Sequence, residues 1–162
     1  MYNWIVYLHL LGIFGFLIAH GASAGAAFAL RRERNLDKVR ALLELSASSI
    51  GVMYLSLLVL LAAGIIAAFM GQWWGRGWIW VSLGLLVVIL AAMGAMGSRY
   101  YGEARKLAGL PYFAKGKPQP PLPPAGPDEL FAVLSKANPV LLTVIGLGGF
   151  AIIAWLMHFK PF

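Results

Sequence analysis

The chain has 162 residues, of which 60% are hydrophobic and only 12% are charged, and its formal net charge is +7. This composition is typical of a protein that crosses a membrane several times, and it excludes an ordinary soluble domain. Because the sequence contains no cysteine, it also excludes disulfides, thiolate metal centres and iron–sulfur clusters. A basic surplus beside membrane spans sets orientation and contacts anionic lipid, so no nucleic acid is expected as a partner.

The first predicted span covers residues 3–30, a long apolar run in which His9 and His20 are the only side chains that ionise near neutral pH. It exceeds the roughly 20 residues that cross a bilayer. No basic residue precedes it, so we interpret it as a retained transmembrane helix and not as a secretory signal peptide. The second span is predicted at 46–70, after amphipathic helical turns that start at a potential cap, Asn35.

The third and fourth spans are predicted at 78–97 and 139–157, with a long polar connection between them. Within this connection, residues 115–127 are rich in proline, which predicts an extended, polyproline-like cytoplasmic linker. Residues 128–137 begin with acidic residues behind a proline and then carry an apolar stripe. That pattern predicts a short amphipathic helix lying at the membrane interface before the fourth span.

Together these elements predict an all-α fold, a polytopic membrane four-helix bundle formed by residues 1–162 as a single membrane domain. Five basic residues lie in the first loop and six in the third, which leaves only Arg76 and Lys160 on the other side. The positive-inside rule then predicts an N-out, C-out topology with both long loops in the cytoplasm. All six tryptophans fall at the predicted outer ends of the spans, where aromatic side chains anchor helices.

Three isolated histidines are the candidates for buried chemistry, because no predicted span contains Asp, Glu, Lys or Arg. This argues against an ion-coupled transporter, and no catalytic residue or metal site can be assigned. His9 and His20 share a helix face but lie roughly 16 Å apart, so one small cofactor cannot bind both. His9 is the better axial ligand for a single haem, with His158 as its candidate partner and Met70 or Met157 as alternatives. A hydrogen bond to a neighbouring helix is the other interpretation of His9 and His20.

Gly21 and Gly25 form a GxxxG pattern in the first span. Small residues allow helix backbones to approach closely, so we expect a tight helix contact at this pair. Gly15, Ala19 and Ser23 extend a small face beside it. Packing within the bundle and a homodimer through Gly21 and Gly25 both fit the pattern.

Three segments resemble a group of small bacterial four-helix membrane proteins classed as a domain of unknown function; they read YLHLLGIFGFLIAHGASAG, RRERNLDKVRALLELS and MGQWWGRGWIWVSL. That group is similar in layout to the membrane domain of copper-resistance D proteins and to the haem-containing bacterial protoporphyrinogen oxidase. The resemblance implies a multi-pass protein of the bacterial inner membrane. It also implies that His9 matches a histidine implicated in haem binding in the oxidase. The oxidase has an essential lysine early in its third helix, near Val81 and Ser82 of this chain. Because this chain has no lysine at that place, the sequence argues against oxidase chemistry and leaves haem binding open.

Two functional interpretations follow from these observations. The first is a non-enzymatic helix-packing module or accessory subunit, whose partners are the lipid bilayer and other membrane subunits. The second is a haem b protein for electron transfer or porphyrin oxidation, with His9 as axial ligand and with His158 and His20 as further candidates. Whether the protein is an enzyme is left open, and a passive transporter is a third alternative.

Overall fold

The computed structural model describes residues 1–114 and 116–162 and is mostly helical. It contains five helices: α1 (Tyr2–Leu30), α2 (Leu36–Met70), α3 (Gly77–Leu107), α4 (Pro127–Lys136) and α5 (Pro139–Phe159). Helices α3 and α5 each include a π-helical turn, at Ser98–Gly102 and Val144–Gly148. A 3-10 turn, Trp73–Gly75, connects α2 to α3.

Helices α1, α2, α3 and α5 are long and apolar enough to cross a membrane. The protein is therefore an integral membrane protein with four spans, and the predicted all-α four-helix membrane bundle is confirmed. With 35 and 31 residues, α2 and α3 are each roughly 50 Å long, against about 30 Å for the hydrocarbon core. One end of each helix therefore extends beyond the hydrocarbon.

The start of α2 is set by side chains of the preceding turn. Asn35 caps the helix, because its side-chain oxygen accepts hydrogen bonds from the backbone N–H groups of Asp37 and Lys38. This confirms the predicted cap. The carboxylate of Glu33 in turn accepts hydrogen bonds from the backbone N–H groups of Asn35 and Arg34, which lower the pKa of Glu33.

Glycines set the close spacing of α1 and α2, which lie along each other. A Cβ atom on Gly12 would lie 2.7 Å from the backbone nitrogen of Leu60, and one on Gly15 would lie 2.6 Å from the hydroxyl of Ser56. Both distances are shorter than ordinary van der Waals contact. The two backbones can therefore approach this closely only because these positions carry no side chain.

The predicted tight contact at the GxxxG pair is wrong for the described residues of a single chain. A Cβ on Gly21 or Gly25 would meet nothing within 4 Å, and both glycines are exposed. The reason is helical phase: at 100° per residue, both lie roughly 160° around the helix from Ser23. Ser23 faces α2, where its hydroxyl is hydrogen-bonded to that of Ser46 at 2.9 Å. The homodimer interpretation of the glycine pair stays a prediction.

A small hydrophobic core closes the end of the molecule that carries most of the basic residues, which we call the basic end. Its members come from α1, α2, α3 and α4 and from the turn that follows α3. None is more than 2% exposed: Leu30, Val39, Leu43, Ala104, Ala108, Leu130 and Leu134. The amphipathic helix expected at 128–137 is thus present as α4, and its apolar side covers the ends of three spans. Apolar burial stabilises this core because the projecting helix ends would otherwise meet water.

The proline-rich segment predicted as a linker, residues 115–127, folds back onto the end of α3. Strand β2 (Lys117–Gln119) pairs antiparallel with β1 (Tyr112–Ala114), and Lys115 lies outside the described residues. Further on, the backbone N–H of Ala125 donates a hydrogen bond to the carbonyl of Leu107 at 2.9 Å. These contacts hold the segment against the basic end.

Residues 1 and 162 both lie at the opposite end, which we call the aromatic end because it carries the tryptophans. The rings of Tyr2 and Trp73 meet edge-on with centroids 6.0 Å apart. The backbone N–H of Trp78 donates a hydrogen bond to the carbonyl of Phe162 at 3.3 Å. Which side of the membrane this end faces stays a prediction of the positive-inside rule.

Candidate functional site

A cavity of about 730 Å³ lies between the α1/α2 pair and the α3/α5 pair. Its lining is almost entirely apolar, and it extends to the aromatic end, where Tyr2, Trp73 and Trp78 contribute to its wall. The volume falls within the range of about 300–1,000 Å³ that is usual for small-molecule and cofactor sites. This cavity is the candidate site of the protein.

His9 contributes a hydrogen-bonded imidazole to the α1 wall of the cavity. Its Nδ1 donates a hydrogen bond to the backbone carbonyl of Leu60, at 2.6 Å. Since a carbonyl oxygen can only accept, the proton is assigned to Nδ1, and Nε2 of the neutral ring carries a lone pair. Metal-binding imidazoles are oriented by the same kind of hydrogen bond from their other nitrogen.

Gly64 of α2 provides the space that the His9 ring occupies. A Cβ on Gly64 would lie 2.9 Å from Cε1 and 3.0 Å from Nδ1 of His9. A side chain at this position would therefore push the ring away from the carbonyl of Leu60. Sequence reasoning identified His9 and missed Gly64. The available signal was a glycine inside an apolar helical run, which lowers helix stability and often has a packing or functional reason.

His158 and Met157, near the end of α5, line the same cavity as His9. The side chain of His158 is exposed, and its ring meets that of Phe159 edge-on with centroids 4.8 Å apart. The fold thus brings two of the three sequence-predicted histidines to one cavity. Met70, the other methionine considered as a ligand, is not part of the cavity lining.

His20 lies outside the cavity lining and is only 6% exposed. Its ring stacks on Phe16 with centroids 6.2 Å apart, and its Nε2 faces the backbone of α5 at Gly146, in the π-helical turn. Among the described residues, Nε2 has no hydrogen-bond partner. Because the backbone of α5 covers this nitrogen, the structure separates His20 from the cavity that His9 and His158 share.

Ser82 is a polar residue of the α3 wall that sequence reasoning noted only through the resemblance. It lines the cavity, is 2% exposed, and its hydroxyl has no hydrogen-bond partner among the described residues. Helical serines usually bond a carbonyl one turn earlier, as Ser49 does with Leu45 at 2.8 Å. A buried hydroxyl without a partner costs about 1–3 kcal/mol. Ser82 thus adds to the α3 wall a buried hydroxyl that has no partner among the described residues.

In the part of the chain that the structure describes, no group of three or more His, Asp or Glu residues could hold a metal ion. Haem iron makes a smaller demand on the protein, because the porphyrin supplies four nitrogen ligands and the chain supplies only axial ones. One oriented histidine in a large apolar cavity therefore matches the requirement of haem better than that of a bare metal ion.

The four spans and the cavity between two helix pairs define a small multi-pass membrane protein of the all-α class. No family model, no curated protein and no solved structure matches the chain. The resemblance to the bacterial four-helix group therefore stays a prediction. The assignment of a function depends on the geometry of the site.

Proposed function

We propose that the protein binds haem b in the bacterial inner membrane, with Nε2 of His9 as an axial ligand inside the cavity. The observation that carries this proposal is the hydrogen bond from His9 Nδ1 to the carbonyl of Leu60. It leaves Nε2 as a neutral lone-pair donor and holds the ring in one orientation. The apolar cavity of about 730 Å³ on which His9 lies fits a large, flat and mostly apolar molecule.

The chain offers further residues that suit this cofactor. His158 and Met157 are candidates for the second axial position, since both side-chain types ligate haem iron and both line the cavity. Ser82 and the neighbouring leucines form the α3 wall of the cavity. When bound, haem would supply one-electron redox chemistry, whose potential depends on the axial ligands and on how dry the pocket is.

The resemblance to the haem-containing protoporphyrinogen oxidase supports the proposed role for His9 in haem binding. It does not support oxidase chemistry, because this chain has Val81 and Ser82 near the place of the oxidase's essential lysine. We therefore propose electron transfer as the activity and leave porphyrin oxidation aside.

A second candidate function is a helix-packing module or accessory subunit of a membrane complex. It is favoured by the exposed face of α1, where Gly21 and Gly25 have no neighbour within 4 Å and Phe14 and Ile18 are 62% and 73% exposed. Such a face suits another membrane helix, from a second copy or from a different subunit. In this interpretation, the hydrogen bond of His9 serves packing between α1 and α2 only.

An absorption spectrum separates the two functions. Protein purified in mild detergent from cells supplied with a haem precursor should show a Soret band, and dithionite should sharpen the visible bands. His9→Ala should abolish the spectrum, because the axial imidazole is lost. His20→Ala is the matched control on the same helix, and it should keep the spectrum because His20 lies outside the cavity lining. A colourless wild-type preparation that does not take up added haemin would reject the haem proposal.

A further inference from the structure

Two basic side chains lie at the aromatic end, one on the apolar cavity and one on a polar cavity beside it. Lys160 follows the last turn of α5 with a left-handed backbone (φ 48°), and it lines both the apolar cavity and an adjoining polar cavity of about 490 Å³. Arg76, in the turn before α3, lines the polar cavity. Trp73 and Trp78 line both cavities and so form the boundary between them.

The ammonium group of Lys160 lies over this boundary. Its Nζ is 4.4 Å from the centroid of the Trp73 ring and 5.9 Å from that of Trp78. Cation–π attraction to the two rings accounts for this position. It places a positive charge at the edge of the apolar cavity, within reach of a molecule that occupies it.

Neither of these cations has an acidic partner in the described structure. The three ion pairs found there, Arg40–Asp37, Arg105–Glu44 and Lys106–Glu103, all lie towards the basic end. The remaining acidic residues of the sequence, Glu33, Asp128 and Glu129, also belong to that end. The aromatic end therefore has two positive side chains beside an apolar cavity and no acidic side chain to balance them.

We infer that the ligand of the cavity carries carboxylates and that Lys160 and Arg76 bind them at the aromatic end. This inference rests on the proposed function, since haem b is an apolar ring with two propionates on one edge. His9 lies seven residues beyond Tyr2, so its ring is roughly 10 Å from that end of α1. A ligand bound at His9 with its acidic edge towards the aromatic end would place its apolar ring against the apolar wall and its carboxylates near the cations. Charge-assisted hydrogen bonds would then fix which way the ligand enters.

The inference is tested by titrating the chain in neutral detergent with haemin and with haemin dimethyl ester, which has the same ring without the charges. Wild type should bind haemin at least about ten-fold more tightly than the ester, because hydrogen bonds to charged groups are the stronger ones. The double variant Lys160→Gln, Arg76→Gln should lose this preference. It should bind haemin and the ester equally, with the affinity that wild type has for the ester. Lys160→Arg should retain the preference for haemin, since it retains the charge.

The matched control is Arg99→Gln, which removes a basic side chain from the basic end and should leave the preference for haemin unchanged. Equal affinity of wild type for haemin and its ester would overturn the inference while leaving haem binding at His9 intact. Absence of binding by either compound would reject the haem proposal and this inference together. Loss of the preference on adding phosphatidylglycerol, but not phosphatidylcholine, would assign the two cations to a lipid headgroup and overturn the inference.

Discussion

The contact between Gly64 and His9 gives the sharpest test of the site, through the substitution Gly64→Ala. The added methyl carbon would lie 2.9 Å from Cε1 and 3.0 Å from Nδ1 of the imidazole, whereas ordinary contacts are longer than 3.4 Å. The ring would have to move by roughly half an ångström. Such a movement is directed away from α2, which carries the acceptor of the hydrogen bond, the carbonyl of Leu60.

Two opposing terms decide the effect on stability. Replacing glycine by alanine inside a helix stabilises by up to about 1 kcal/mol. Against this, the lost hydrogen bond costs about 1 kcal/mol and overpacking costs about 1–3 kcal/mol. The expected net effect of Gly64→Ala is a destabilisation of about 1–3 kcal/mol, together with weaker haem binding because Nε2 is no longer held in place.

Gly51→Ala is the matched control, because Gly51 lies in the same helix and a Cβ there would meet nothing within 4 Å. It should leave stability unchanged or raise it slightly. Unfolding of both variants in detergent gives the stability difference, and haemin titration gives the difference in affinity. If Gly64→Ala matches Gly51→Ala in both measurements, the His9 ring is free to move and the hydrogen bond does not position it.

Three other outcomes are expected. Leu130→Ala should lower the free energy of unfolding by about 3 kcal/mol, because it leaves a cavity in the core of the basic end; an unchanged melting temperature would mean that α4 does not hold that core together. Gly12→Ile should destabilise by about 3 kcal/mol in detergent because it forces α1 from α2, whereas Gly21→Ile should be nearly neutral in a monomer. A comparable loss for both variants would reveal a helix contact at Gly21, as in a homodimer. A periplasm-active reporter fused after Phe162 should be active and one inserted within 116–124 silent, with the reverse pattern contradicting the orientation.

The fold was predictable because the signal for membrane spans is local. An apolar run long enough to cross hydrocarbon must satisfy its backbone within itself, so it becomes a helix whatever surrounds it. The start of α2 at Leu36, ten residues before the predicted span, was also predictable. The signals were the cap at Asn35 and a helical pattern too long for the bilayer alone. The fold of the proline-rich segment was not predictable, because the backbone contacts that hold it come from residues outside the segment, such as Leu107.

Helix contacts were harder to predict, because a small-residue pattern gives spacing along one helix and not the direction in which the helix faces. The pair Gly21 and Gly25 matched a known motif and proved exposed. The close approach to α2 is made by Gly15, which belongs to the small face noted beside that motif, and by Gly12, which belongs to no noted pattern. In lipid, apolar side chains can face outwards at no cost, so hydrophobicity does not indicate the packed face.

The candidate site was predictable only in part. His9 was identifiable because a histidine in an apolar span is rare and expensive. Its grouping with His158 around a cavity depends on how two helix pairs are arranged, which no local pattern encodes. Gly64 and the carbonyl of Leu60, which orient the ring, carry no chemical signal of their own.

The core at the basic end also sets an order for biosynthesis. It needs Leu130 and Leu134, which a ribosome adds only after α1, α2 and α3 have been made. Until α4 is made, Leu30, Val39 and Leu43 lack the cover that Leu130 and Leu134 provide, and a nascent chain that stalls within the proline-rich segment presents this apolar surface to chaperones and proteases. The core at the basic end is therefore complete only after α4 has been synthesised, although the three spans that it joins precede α4 in the chain.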